Sequence, residues 1–194
     1  LQFSGIVEEH VAVRERVGIF DVSHLGKVTV TGLGARAFVD SCLTNALAKI
    51  EPGRAQYTMC CDERTGGVVD DLIAYLRSDE DLLLIPNAAN CAEIARRLSA
   101  AAPGSLEVRN AHREHAILAV QGPFSDETLG GVGLPTGHDY MAFDTATWQD
   151  VQVTVCRTGY TGERGYELVV PWTDAGGLWD ALLSAGQPHG ILPC

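Results

Sequence analysis

Three short apolar segments follow one another in the middle of the chain, and their spacing constrains the fold more than any other feature. They are AQYTMCC (55–61), VVDDLIAYL (68–76) and LLLIP (82–86). The connections DERTGG and RSDED consist of turn-forming residues, and each apolar segment has the length of a strand. Strands joined this closely pair antiparallel, because a parallel pair needs a crossover of about a dozen residues or more. The sequence therefore predicts neighbouring antiparallel strands here.

Helices and further strands flank this region in irregular order. Further strands are expected at 27–32, 105–108, 115–122, 151–157 and 166–171, and helices at 4–18, 35–44, 88–103, 123–131 and 173–186. Most of the strands lie in hairpins rather than in regular βαβ units. The predicted fold class is therefore α+β, with mostly antiparallel sheets and packed helices.

Polar residues at two predicted helix starts suggest caps. Ser4 is expected to cap the first helix, whose apolar stripe would include Ile6, Val7 and Val11. Asn87 is expected to cap the helix that follows LLLIP.

The charge balance excludes two classes of partner. The 194 residues carry a net charge of −11, from 25 acidic and 14 basic side chains. Nonspecific binding to nucleic acid or to an anionic membrane requires a basic surface, so neither is an expected partner. No apolar run approaches the ~20 residues that cross a bilayer.

The cysteines and histidines indicate neither a disulfide scaffold nor a metal site. The six cysteines form no C-x-x-C pair, and no His/Cys cluster has zinc spacing. We therefore expect a reducing compartment and no metal. The chain begins with LQFSGIVEEH and stops at QPHGILPC, and we interpret both ends as cut.

Two adjacent carboxylates interrupt the apolar strand 68–76. Successive side chains of a strand point to opposite faces, so Asp70 shares a face with Leu72, and Asp71 shares one with Tyr75. At least one carboxylate must then lie against apolar surface, which is costly unless hydrogen bonds satisfy it. The residues leave two interpretations open: a structural edge strand or bulge in which both reach backbone N–H groups or an arginine, or a ligand site.

A second unusual segment, RTGYTGERGYEL (157–168), joins one strand to the next through three glycines. It does not lead into a helix, so a phosphate-binding loop is excluded. Tyr160 and Tyr166, with Glu163 and Glu167 beside them, are suited to a flat polar heterocycle: tyrosine offers an aromatic face, and a carboxylate accepts N–H bonds from the ring edge.

Four stretches together resemble the aminomethyltransferase family, the T-proteins of glycine cleavage. They are GIFDVSHLGKVTVTG (18–32), PGRAQYTMCCDERTGGVVDDLIAYL (52–76), NAANCAE (87–93) and RTGYTGERGYELVVP (157–171). The likeness extends from about residue 4 to 190, with the motifs in the family's order and spacing.

The resemblance implies a folate-dependent transferase. Such proteins take the aminomethyl group from the lipoyl arm of H-protein, release ammonia and transfer the one-carbon unit to tetrahydrofolate, giving 5,10-methylenetetrahydrofolate. Asp71 matches the family's catalytic carboxylate, Glu167 the acid that binds the pterin edge, and Tyr160 a tyrosine of the folate pocket. Further expected pocket residues are Tyr57, Tyr75, Asn87 and Leu25, the last standing where the family usually has methionine.

The resemblance also implies a domain organisation. Residues 1–194 correspond to the folate-binding region, expected as two interleaved subdomains, without the family's C-terminal β-barrel domain. The expected location is the cytoplasm, or the mitochondrial matrix in a eukaryote. Two alternatives stay open: a folate-dependent demethylase of the same fold, and a noncatalytic folate-binding paralogue, although such paralogues lack the aspartate pair and carry a K-G-C motif.

Overall fold

The computed structural model describes residues 2–194, which contain five α-helices and eleven strands in mixed order. The helices are α1 (Ile6–Glu15), α2 (Ala35–Cys42), α3 (Cys91–Ala101), α4 (Ser125–Gly131) and α5 (Ala175–Gly186). The strands are β1 (Gly18–Asp21), β2 (Val28–Gly32), β3 (Arg54–Cys61), β4 (Val68–Ser78), β5 (Asp81–Ile85), β6 (Leu106–Asn110), β7 (His115–Gln121), β8 (Phe143–Trp148), β9 (Val151–Cys156), β10 (Gly165–Pro171) and β11 (Leu192–Pro193).

The chain divides into two units. The continuous unit consists of His24–Arg113, and the split unit consists of the residues up to Ser23 together with Glu114–Cys194. No helix within residues 2–194 is long and apolar enough to cross a membrane.

The continuous unit contains a five-stranded antiparallel sheet in the order β3-β4-β5-β2-β6. The predicted antiparallel strands are thus confirmed as β3, β4 and β5. Strand β5 is central, and its four apolar residues Leu82–Ile85 are all buried. Alternate residues of β4 and β5 pack with apolar residues of α2 and α3 into one core, which includes Leu72, Leu76, Leu84, Val39 and Ile94.

The split unit contains a six-stranded sheet in the order β11-β1-β7-β10-β9-β8. All its pairs are antiparallel except β1 with β11. Its core includes Leu118 and Val120 from β7 and Leu168 from β10, packed with Leu178 and Leu182 of α5. The α+β class with mostly antiparallel sheets is therefore confirmed.

Three strands, β1, β8 and the two-residue β11, were not predicted. Strand β8 is the edge of its sheet, and only its first and last residues, Phe143 and Trp148, are buried. Edge strands need few apolar residues, so their sequence pattern is weak. Strand β1 has four residues, too few for a periodic signal.

The predicted first cap is wrong. Ser4 makes no capping bond, and the helix begins after Gly5. The carboxylate of Glu9 turns back instead, and its Oε1 accepts the N–H groups of Phe3, Ser4 and Gly5 at 2.7, 2.8 and 3.0 Å.

The predicted apolar stripe of this helix is wrong at its first two residues, although Val17, at the end of the predicted stripe, is buried. Ile6 and Val7 are each 76% exposed, whereas Ala12 and Val13 are buried. Ala12 and Val13 lie off the predicted stripe, so the buried face of the helix is turned relative to the prediction.

Candidate functional site

Asp70 and Asp71 lie on opposite faces of β4, as strand alternation predicts. Asp70 shares its face with the core residues Leu72 and Ala74 and is 2% exposed. Asp71 lies on the other face and is partly exposed. Asp70 therefore carries the main cost of burial, and Asp71 remains accessible.

Two asparagines satisfy Asp70. The backbone N–H of Asn87 donates to Oδ2 at 3.0 Å, and the Asn87 side-chain Nδ2 donates to Oδ1, also at 3.0 Å. Asn90 Nδ2 donates to the same Oδ1 at 2.7 Å. The structural interpretation had expected backbone N–H groups or an arginine, and the structure uses one backbone N–H and two side-chain amides.

Asp71 receives donors from both sides of its strand. Tyr57 lies in β3 opposite Ile73, so its side chain is on the face of Asp71, and its hydroxyl donates to Oδ2 at 2.5 Å. Ile73 pairs with Ile85 at the end of β5. Because the two strands are antiparallel, the residue two positions after Ile85 lies alongside Asp71, two positions before Ile73. There Asn87 Nδ2 donates to the Asp71 carbonyl oxygen at 3.0 Å and to Oδ1 at 3.2 Å.

These bonds correct the role predicted for Asn87 in the helix. Its side chain makes no cap, and a short 3-10 turn at Ala88–Asn90 precedes α3. The side-chain nitrogen donates instead to both carboxylates of the aspartate pair, and hydrogen bonds to ionised acceptors are stronger than those between neutral groups.

The other two predicted pocket residues of this unit lie in different surroundings. Tyr75 is on the same face of β4 as Asp71 but is 2% exposed and opposite Leu83. Leu25 is in the segment before β2, where its carbonyl oxygen lies 3.1 Å from His112 Nδ1. The structure thus joins Asp71 directly to Tyr57 and Asn87.

Glu167 is the buried carboxylate of the split unit. It lies in β10 between Ala119 of β7 and Cys156 of β9 and is 8% exposed. The hydroxyl of Thr158 donates to its Oε2. Burial raises the pKa of Glu167, and the bond from Thr158 opposes this shift without cancelling it.

Gln121, at the end of β7, holds the glycine-rich segment beside Glu167. Its Nε2 donates to the carbonyl oxygens of Thr158 and Tyr166 at 3.1 and 3.2 Å, and its Oε1 accepts the Thr161 hydroxyl at 2.8 Å. A Cβ on Gly165 would lie 2.5 Å from Gln121 Cδ and 2.6 Å from the Val120 carbonyl oxygen. Glycine at 165 therefore lets the segment pack closely against β7.

The side chains of this segment separate into exposed and internal groups. Tyr160 is 78% exposed, whereas Tyr166 is fully buried, and its hydroxyl donates to Asp126 Oδ1 at 2.6 Å. Glu163 forms an ion pair with Arg14 at 2.7 Å. Tyr166 and Glu163, which the sequence grouped with Tyr160 and Glu167 as ligand-binding candidates, thus form internal contacts of the split unit.

Sequence reasoning missed three residues that position these carboxylates: Asn90, Gln121 and Thr158. Two had a usable signal. Asn90 follows Asn87 by three residues, and Gln121 ends an otherwise apolar strand, HAILAVQ. Nothing in the sequence pairs Thr158 with Glu167. Within residues 2–194 no group of three or more His, Cys, Asp or Glu side chains is arranged to hold a metal ion.

The family model described as "GCVT N-terminal domain" matches residues 2–194. Two similar curated relatives are named aminomethyltransferase. The protein from Mycobacterium tuberculosis is 56% identical over 196 residues, covering 98% of this chain and 53% of its own length. The protein from Frankia alni is 57% identical over 189 residues, covering 97% and 52%. The chain therefore spans about half the length of the curated relatives it matches.

Solved structures agree with this match. The crystal structure of glycine cleavage system aminomethyltransferase T from Bartonella henselae superposes with a TM-score of 0.89 at 30% identity, over all of this chain and 52% of that one. A chain of heterotetrameric sarcosine oxidase from Corynebacterium gives 0.70 at 14% identity, covering 96% of this chain and 93% of its own. At that identity the second likeness shows the fold alone.

Proposed function

Because the chain belongs to the GCVT N-terminal domain family, we propose that it is the tetrahydrofolate-binding region of an aminomethyltransferase of the glycine cleavage system. In the proposed reaction the one-carbon unit leaves aminomethyl-dihydrolipoyl H-protein, ammonia is released, and 5,10-methylenetetrahydrofolate forms. The C–S and C–N bonds of the aminomethyl carbon are replaced by two bonds to folate nitrogens. The two protons of those nitrogens end on the sulfur and on ammonia.

The observation that carries the proposal is the asymmetry of the aspartate pair. Asp70 is buried, and asparagine donors contact both of its oxygens, whereas Asp71 is partly exposed and oriented by Tyr57 and Asn87. An accessible carboxylate fixed between two donors is preorganised for a positive charge that develops nearby.

Asp71 has two chemical roles in this proposal. The transfer passes through an iminium-like one-carbon cation, which a nearby carboxylate stabilises electrostatically. The same carboxylate accepts a proton from the attacking folate nitrogen as a general base. The hydroxyl of Tyr57 and the amide of Asn87 hold both Asp71 oxygens, so the orientation of the carboxylate is set before the aminomethylated H-protein binds.

The split unit contributes the proposed pterin contacts. Burial removes water from the Glu167 carboxylate and raises its pKa. Hydrogen bonds from the N–H groups of a pterin edge would replace the lost hydrogen bonds to water. Tyr160, exposed in the glycine-rich segment, is proposed to lie against the folate ring. Tyr75 and Leu25 are proposed as further residues of the folate pocket.

The proposed partner is the lipoylated H-protein, and lipoate enters the reaction on that partner. The proposed location is the cytoplasm of a bacterial cell, consistent with the bacterial relatives, or the mitochondrial matrix in a eukaryote.

The decisive experiment separates folate binding from transfer. Tetrahydrofolate is titrated into the chain and into its Glu167→Gln and Asp71→Asn variants, followed by calorimetry. Wild type should bind, Glu167→Gln should bind about tenfold more weakly through loss of a charge-assisted bond, and Asp71→Asn should bind within about threefold of wild type. The matched control is Asp62→Asn, in the β3–β4 turn.

Ammonia release from aminomethylated H-protein is then measured. Release from H-protein that falls at least a hundredfold in Asp71→Asn supports the assignment. If Asp71→Asn keeps near-full turnover while Asp70→Asn loses it, the catalytic carboxylate has been assigned to the wrong residue. If the wild-type chain binds no tetrahydrofolate, the folate proposal is wrong.

A further inference from the structure

Asn87 is bonded to both members of the aspartate pair. Its Nδ2 donates to Asp70 Oδ1 at 3.0 Å, and also to the carbonyl oxygen and Oδ1 of Asp71 at 3.0 and 3.2 Å. All three partners are acceptors, so the amide has one satisfactory orientation, with nitrogen toward the aspartates. The same side chain thus connects a buried carboxylate to an accessible one.

Asp70 holds Asn87 at two points. Its Oδ2 accepts the Asn87 backbone N–H, and its Oδ1 accepts the side-chain amide. An amide at position 70 would present only one oxygen, and its NH2 group would face one of these two donors in either orientation. Only a carboxylate satisfies both donors at once.

Asn90 completes the arrangement. Its Nδ2 donates to Asp70 Oδ1 at 2.7 Å, the shortest of the three bonds to this carboxylate. It comes from the end of the 3-10 turn that Asn87 begins, so Asp70 draws both ends of this turn toward β4. Because Asp70 is 2% exposed, these part-buried bonds leave the carboxylate little contact with water and favour one geometry.

We propose that Asp70 and Asn90 are positioning residues for Asp71. Asp70, held by Asn90, fixes the side chain of Asn87, and Asn87 together with Tyr57 fixes the Asp71 carboxylate. The importance of this orientation for catalysis rests on the proposed function, in which Asp71 acts on the one-carbon unit. The connection itself is a property of the continuous unit and can be tested without any ligand.

The test uses NMR of the whole chain labelled with 13C at aspartate carboxyl carbons and 15N at asparagine amides. The Asp71 carboxyl and Asn87 amide resonances are assigned by their loss in Asp71→Asn and Asn87→Ala. In Asp70→Asn, the Asn87 side-chain amide loses its bond to Asp70, and we expect exchange of its protons with water to accelerate at least tenfold. The Asp71 carboxyl resonance should move in the same direction as in Asn87→Ala.

The double variant Asp70→Asn/Asn87→Ala isolates the connection. If Asp70 acts through Asn87, the double variant should displace the Asp71 resonance no further than Asn87→Ala alone. Asn90→Ala, which removes one donor and leaves the pair intact, should give a smaller displacement in the same direction and provides the test if Asp70→Asn does not fold. Asp62→Asn is the control and should leave both resonances in place.

The proposal is overturned if the Asp71 resonance moves in Asn87→Ala but stays in place in both folded Asp70→Asn and Asn90→Ala. It is also overturned if the effects of Asp70→Asn and Asn87→Ala add in full. Failure of the proposed function looks different: wild type would bind no tetrahydrofolate while the Asp71 resonance still responded to Asp70→Asn.

Discussion

Asp70 and Glu167 are both almost completely buried, one in each unit, but they are hydrogen-bonded differently. Asp70 is 2% exposed and accepts bonds from a backbone N–H and two asparagine amides. Glu167 is 8% exposed, and the hydrogen bond recorded for its side chain among residues 2–194 comes from Thr158.

The difference indicates how each carboxylate is used. A buried carboxylate surrounded by donors is fully engaged inside the protein and organises its neighbours. A buried carboxylate with one hydroxyl donor can still accept further hydrogen bonds. The raised pKa of Glu167 shows that the bond from Thr158 does not compensate for the loss of water around the carboxylate. We therefore regard Asp70 as part of the framework, whereas Glu167 keeps the acceptor capacity that its proposed contact with a pterin edge requires.

The largest expected effect follows from removing the framework carboxylate. Asp70→Ala would leave the amide of Asn90 and the N–H of Asn87 without their acceptors beside the core. We expect the free energy of unfolding to fall by about 3 kcal/mol, the cost of losing three part-buried hydrogen bonds to a carboxylate. Urea denaturation measures it, with Asp62→Ala as the control: Asp62 is partly exposed and accepts bonds from Thr65 in the β3–β4 turn, and its loss is expected to cost about 1 kcal/mol. Equal losses would contradict the framework role of Asp70.

The next effect concerns the segment that carries the Glu167 site. An alanine at position 165 would place its Cβ 2.6 Å from the Val120 carbonyl oxygen, a clash with backbone that cannot move easily. Gly165→Ala should therefore cost about 2 kcal/mol. Gly176→Ala is the matched control: nothing lies within 4 Å of its Cβ, and its place in α5 predicts a gain of about 0.5–1 kcal/mol. If Gly165→Ala is neutral in urea denaturation, close packing against β7 does not hold this segment.

A smaller effect is expected from Glu167→Gln, and its pH dependence has a definite sign. The pKa of Glu167 is raised in the folded protein, so ionisation destabilises the folded state above that raised value. As pH falls through the raised pKa toward the ordinary value of 4.5, the folded state binds the proton first and wild type gains stability. Glu167→Gln lacks this gain, so its stability relative to wild type should be highest at neutral pH and decline as pH falls.

Asp126→Asn should show the opposite dependence. Burial raises the pKa of Asp126, but the bonds from Arg164 and Tyr166 outweigh it and the net shift is downward. Its contribution is therefore present above the unfolded value of 3.8 and is lost as pH falls through the lowered pKa. Urea denaturation from about pH 2.5 to 8, a range that extends below the ordinary pKa of Asp126, compares the two signs when each curve is taken as variant minus wild type. Parallel curves for the two variants would contradict the contrast drawn for Glu167.

The sequence predicts the β-strands with strong apolar patterns and the faces of the aspartate pair, because alternation follows from strand geometry alone. It did not predict β8, whose exposed edge position needs few apolar residues, or the first helix cap, which Glu9 makes from within the helix. These features depend on tertiary or medium-range contacts that no local pattern records.

The candidate site divides in the same way. Tyr57 and Asp71 are brought onto one face by the register of β3 with β4, which shifts by one residue between Cys60 and Cys61, and the hairpin spacing does not predict that shift. Asn87 was assigned to a helix cap because an asparagine before a helix usually makes one. Its actual partners are set by where β5 ends relative to β4, which fixes the distance from Asn87 to both carboxylates. The bond from Thr158 to Glu167 required the path of the glycine-rich segment.

The smallest expected effect on stability comes from Tyr57→Phe. This variant tests whether the hydrogen bonds of Asp71 stabilise the fold, as those of Asp70 are expected to do, or only orient the carboxylate. Tyr57 is 46% exposed, so losing its hydroxyl should change the free energy of unfolding by no more than about 0.5 kcal/mol. The ring stays in place, and water replaces the lost donor to Asp71. Tyr140→Phe, at a tyrosine that is 65% exposed, is the control.

A loss above about 2 kcal/mol for Tyr57→Phe would make the Tyr57–Asp71 bond part of the framework, like the bonds to Asp70. A loss within the control's range, with a displaced Asp71 carboxyl resonance, would instead mean that this bond orients the carboxylate without holding the fold together.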